Sequence, residues 1–161
     1  MRSIASLTLW LFVIGTSLIL GAGLYEALVV VPFWSVGAPA SLAEGNPLLQ
    51  VHVRAGHVFW QCFTPVLGLI TLLAMLTSFG APLRHLAWRL AATGLMLLVS
   101  IATLVYFRPV LIGMLINHGA GLTPEALAAE ARRWVALDWV RDIAVAASLA
   151  MGIRALLLPL R

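Results

Sequence analysis

Lysine is absent from this chain: its ten basic residues other than histidine are all arginines, and they are scattered rather than run together. Without a clustered basic face there is nothing to hold a phosphate backbone, so no nucleic-acid partner is expected. Cysteine is almost absent as well. Cys62 stands alone, which excludes an intrachain disulfide and any Cys-x-x-Cys redox chemistry. Charge is scarce, at 10% of residues against 62% hydrophobic, and the mean hydropathy is +1.03. A soluble domain is nearer ~45–50% apolar, so that class is excluded. What the chain does have is long apolar runs, and its composition is that of an integral membrane protein in contact with the lipid bilayer.

Residues 4–31 form the first run, preceded by Arg2 and interrupted only by small polar residues, Tyr25 and Glu26. The run outlasts the ~7–15 residue core of a signal peptide and is long enough to span a bilayer, so it reads as a retained helix. Thr8, Gly15 and Ala22 recur every seven residues and offer a seam for close helix packing. Residues 32–46, with Pro32, Gly37, Pro39 and Gly45, read as a loop, and Phe33 and Trp34 at its start read as an aromatic interface belt. Asn46-Pro47 is a cap followed by proline at the first helical position, which predicts a second helix over 47–78. Residues 80–89 carry Arg84, His85 and Arg89 and no acid, so they read as a basic loop. A third helix covers 86–108, and Pro109 either starts a new turn there or only kinks a helix that runs on toward 117. Thr123-Pro124-Glu125 repeats the cap-and-proline start for a fourth helix over 124–159.

The expected fold is therefore all-α: a single integral membrane domain over 1–161, an up-down four-helix bundle with both termini cytoplasmic. In that orientation Arg2, Arg84, Arg89, Arg154 and Arg161 lie inside without an acid, and all six acids lie in the outer portion. The positive-inside rule agrees once Arg54, Arg108 and Arg141 are set aside as site residues. A homo-oligomer is compatible with the same surface.

The charges within the apolar runs mark the candidate site, because ionisable groups in a membrane are costly and face partners or a cavity. Asp138, Arg141 and Asp142 stand three and four residues apart on one face of the fourth helix. Gln50, Arg54, His57, Gln61, Thr64, Gly68 and Thr71 are spaced 4, 3, 4, 3, 4, 3 and make a polar stripe on the second. Such a stripe serves either as interhelical hydrogen-bond glue or as a ligand-lining face. With Glu26 on the first helix and Arg108 on the third, every helix sends charge into one outer region, where opposite signs should pair. Metal binding has little support. His52 and His57 fall on different helix faces, His85 and His118 lie elsewhere, and no Glu-x-x-His motif occurs. No cofactor is expected.

Two stretches resemble a known family. Gly23-Leu24-Tyr25-Glu26 leading to Val31-Pro32, and the run from Arg133 through Trp134 and Asp138 to Arg141, are similar to the best-marked stretches of the anthrone-oxygenase-like membrane proteins, a family grouped as a domain of unknown function. The chain departs from that pattern at Val110-Leu111 and at Asp138. The resemblance implies a four-helix membrane fold and, for members with an assigned role, oxidation of an anthrone to an anthraquinone by O2 without a recognised cofactor. On that reading His57 is the base, Arg54 and Arg141 stabilise the oxyanion, and Tyr25, Glu26, Gln61, Tyr106, Arg108, Trp134, Asp138 and Asp142 surround a hydrophobic small molecule. Two alternatives stand beside it: a non-catalytic binding or transport protein for a lipophilic ligand, with Glu26 exchanging a proton, and a structural subunit with no cavity.

Overall fold

The computed structural model describes residues 2–42 and 47–158, with the side chains at 2–3, 47–55 and 57 outside that description. Helices α1 (Arg2–Tyr25), α2 (Val31–Ser35), α3 (Pro47–Leu76), α4 (Leu83–Ala102), α5 (Arg108–Leu115) and α6 (Pro124–Leu157) make up the fold, and no strand occurs among the described residues. The all-α expectation holds.

The first and third helices do not stop at their prolines. A π-turn at Glu26–Val30 joins α1 to α2, and another at Thr103–Phe107 joins α4 to α5. The backbone N–H of Val31 reaches the carbonyl of Glu26, and that of Arg108 reaches Thr103. Each bond spans five residues, and a proline is the next residue in both cases. Inside an α-helix a proline has no N–H to give and crowds the carbonyl four residues back. The widened turn just before it lets the rod continue. The loop expected from residue 32 is thus corrected to helix as far as Ser35, and of the two courses open to the third helix it takes the longer, past Pro109 to Leu115.

The fourth helix starts as read, with the Ala126 N–H donating to the Thr123 hydroxyl at 3.2 Å. The residues read as a basic loop before the third helix are corrected: α4 begins at Leu83, and His85 and Arg89 lie within it, buried. Arg89 Nη1 donates to the carbonyl of Ala5 at 3.4 Å.

Among the described residues three helical stretches are long and apolar enough to cross a membrane: Ile4–Ser35, Val58–Gly80 and Leu83–Leu115. Helix α6, 34 residues long, is not among them because Glu130, Arg132, Arg133, Asp138, Arg141 and Asp142, with Arg154 beyond them, leave no uncharged run of membrane-spanning length. It nevertheless packs along both α4 and α1. At one end Thr8 and Thr77 share a hydrogen bond of 2.8 Å between α1 and the end of α3, and a Cβ at Gly152 of α6 would stand 3.0 Å from Phe12. Midway, Ser148 donates to the carbonyl of Ala92 at 2.9 Å. At the other end the Trp134 indole donates to the carbonyl of Phe107 at 3.0 Å.

Most other hydroxyls are satisfied by their own helix. Thr16, Thr71 and Thr93 donate to Phe12, Leu67 and Arg89, four residues back, so the buried interior carries few unmet polar groups. Leu18, Leu69, Leu98 and Ile143, one from each long rod, are each more than half exposed, as lipid-facing side chains are. Beyond α5, His118 and Gly119 take positive φ. A Cβ at Gly119 would sit 2.7 Å from Leu127, which requires glycine there, and His118 Nδ1 lies 3.0 Å from the carbonyl of Leu42, tying the two loops at this end together.

Candidate functional site

A cavity of about 330 Å³ lies between the rods, inside the ~300–1,000 Å³ range of small-molecule sites. Its walls are largely apolar, and the large rings Trp34, Trp60, Phe107 and Trp134 come from four different elements. Trp134 is the centre of that arrangement. Trp34 meets it edge-on at 5.4 Å between centroids and Phe107 at 5.8 Å, geometries favoured by the ring quadrupoles. Because the Trp134 N–H is spent on the Phe107 carbonyl, the cluster carries no unmet donor from that ring. Trp34 was read as part of an interface belt; it is 3% exposed and that reading is corrected. The π-turns hold the chain helical past Val31 and so carry Trp34 onto α6.

Phe33, Leu104 and Arg108 line the cavity while also standing exposed on the outer face of the molecule. Helix α3 packs on α1 and α4 but not closely on α2 or α5. The cavity therefore reaches the outer surface beside Phe33, Leu104 and Arg108.

One wall is charged. Arg141 Nη2 lies 2.8 Å from Asp138 Oδ1 and 3.3 Å from Asp142 Oδ1. The second contact is a hydrogen bond; the first is an ion pair whose angle falls off the hydrogen-bond line, which leaves Asp138 Oδ1 without such a bond. The same guanidinium lies over the rings of Phe107 at 5.1 Å and Trp60 at 5.9 Å, both within cation–π reach. Glu26 faces this group from the start of the π-turn that follows α1, in the field of Arg141 and Asp142 and against the Trp60 side chain. The salt bridges of Arg141 are thus made within its own helix, and its reach across helices is through ring faces and the field at Glu26.

Gly23 explains how the wall closes. A Cβ there would stand 2.8 Å from Asp142 Oδ1, so only glycine lets α1 approach the carboxylate. Asp142 is 4% exposed, lines the cavity, and its Oδ2 has no hydrogen-bond partner among the described residues.

Of the residues expected to surround a ligand, Glu26, Gln61, Arg108, Trp134, Arg141 and Asp142 line the cavity. Asp138 is buried behind Arg141. Tyr106 lies off the lining, with its hydroxyl 3.2 Å from Glu130 and Arg133 over its ring, and Tyr25 is exposed away from it. The side chains of Arg54 and His57 lie outside the described residues, as do those of Gln50 and His52. On the polar stripe, Gln61, Thr64 and Gly68 line the cavity, whereas Thr71 bonds to its own helix. Among the described residues no three His, Cys, Asp or Glu side chains gather to hold a metal ion.

The sequence reading did not single out Gly23, Trp34, Trp60 or Phe107 as site residues. Trp60 had a signal: it falls four residues before Thr64, beside the stripe. Gly23 stood at the head of a family-like stretch, but its role was not legible, since the closeness of α1 and α6 is visible only after folding. Such a cavity can take a flat hydrophobic molecule and meet one polar or charged group on it. Comparison with protein-family models, with curated proteins and with solved structures finds no match to this chain.

Proposed function

We propose that the chain is a four-span, up-down bundle whose fourth span is α6, that both termini are cytoplasmic, and that it takes a lipophilic aromatic small molecule from the bilayer into the lateral cavity. The observation that carries this reading is the cavity itself, ringed by tryptophan and phenylalanine and carrying its buried charge on the wall of Arg141 and Asp142. The exposed apolar face of α6 at Ile143 supports its membrane placement.

The reaction we assign is the one the resemblance to anthrone-oxygenase-like proteins implies. A base removes the acidic C–H proton, the resulting carbanion combines with O2 to form a hydroperoxide, and loss of water leaves the ketone; each turnover consumes one O2 and releases one water. His57 and Arg54, at helical spacing from Gln61 and Thr64, are the base and oxyanion partner in this proposal. Arg141 is the second cation. The acid-rich wall favours a second reading, binding or transport without oxidation.

The test is O2 uptake by purified protein with an anthrone, alongside tryptophan fluorescence as a measure of binding. Uptake matched one to one by quinone, indifferent to chelator and lost in His57→Ala, supports oxidation. Binding without uptake selects the second reading, and no binding overturns both.

A further inference from the structure

The charged wall holds more acid than it holds cation. Among the described side chains, which do not include Arg54, Glu26, Asp138 and Asp142 face one buried guanidinium, Arg141. Arg108 also lines the cavity, but from an exposed position and in no ion pair among the described residues. A carboxylate in an apolar setting needs a cation or a proton beside it. One guanidinium does not serve three, and the carboxylates are not gathered for a metal.

A second, independent observation points the same way. Asp142 Oδ2 is a buried acceptor in the cavity wall with no partner among the described residues. Trp60 and Phe107, which line the same cavity, already present faces to one cation, Arg141. Carboxylate plus aromatic faces is the chemistry that recognises an organic cation, because the rings attract it without demanding a hydrogen bond.

We infer that the cavity selects a lipophilic cation, a flat aromatic molecule carrying a protonated or quaternary nitrogen, with that nitrogen held beside Asp142 and Glu26 and its rings among those that line the cavity. This rests on the proposed binding of an aromatic molecule and names its charge. It requires no oxidation.

The test uses two probes of nearly equal shape, N-methylacridinium and 9-methylanthracene, titrated into the purified protein in one detergent. Asp142→Asn and Glu26→Gln in the same micelles cancel partitioning into detergent. The cation should bind at least about tenfold better than the neutral isostere relative to its partitioning, as a desolvated cation–π contact beside a carboxylate gives. That preference should fall toward unity in either variant. Should Asp142→Asn fail to fold by circular dichroism, Glu26→Gln carries the test. Equal binding of both probes, or tighter binding of the neutral one, overturns the charge assignment and leaves the aromatic cavity standing. Binding of neither overturns both. A cation preference that survives in a folded Glu26→Gln and a folded Asp142→Asn overturns the placement of the nitrogen.

Discussion

Arg141→Ala is the substitution whose cost the geometry fixes best. The side chain is 11% exposed and its two partners, Asp138 and Asp142, are 2% and 4% exposed. Removing one partner of a buried pair leaves an uncompensated charge and costs about 3–5 kcal/mol, more than the intact pair is worth. For a chain of this size each kcal/mol moves the melting temperature by roughly 2–4 °C, so the variant should melt some 6–20 °C lower. Arg154→Ala is the control, since Arg154 is exposed and in no ion pair among the described residues; its effect should stay within about 0.5 kcal/mol. The cost in Arg141→Ala belongs to the carboxylates left behind, so adding Asp138→Asn or Asp142→Asn should recover a large part of it instead of deepening it. The assay is thermal unfolding in one detergent, followed by circular dichroism. Equal melting temperatures for Arg141→Ala and Arg154→Ala, or additive losses in the double variants, would refute the reasoning and mean that the guanidinium is carried by water or lipid.

Two further outcomes follow from the same geometry. Gly23→Ala should lower the melting temperature by driving a methyl into Asp142, whereas Gly21→Ala, which meets nothing within 4 Å, should be neutral or raise stability by up to about 1 kcal/mol through helix propensity; reversal of that order would show that α1 and α6 are not in close contact there. Reporter fusions after Gly45 and Gly121 should read external and one after Arg161 cytoplasmic, and the opposite pattern would refute the proposed orientation.

How much of this was legible in the sequence depends on the range of the interaction involved. Helix α6 was readable to within a few residues because its signals are local: a threonine cap, a proline behind it and an unbroken helical pattern. The convergence of Glu26, Arg141 and Asp142 was also readable, since charge in an apolar run has few places to go. The extent of the rods was not. Pro32 looks like a stop and Pro109 like a stop or a kink when each is read alone, and the π-turn that absorbs a proline is a backbone adjustment that no side chain announces. Likewise the pairing of Arg141 followed three- and one-residue spacing within its helix, as sequence allows, while its cross-helix contacts are ring faces from Trp60 and Phe107, which depend on packing.

The two π-turns have a consequence for what faces what. Each holds one residue more than an α-turn, so the rod beyond it is rotated by roughly 100° about its axis, the angle of a single residue. The small-residue seam of Thr8, Gly15 and Ala22 accordingly does not continue: the next position, Val29, is 40% exposed. Past the slip a different set of side chains points inward, and Val31 and Trp34 are the buried ones. The third rod changes phase in the same way before Met114 and Leu115 turn in. Helix α6 has no such slip and acts as the fixed reference, so the two phase changes on either side of it decide that Trp34 and Phe107 close on Trp134. Deleting one residue from either turn would leave the rods helical and rotate the aromatic wall out of the cavity.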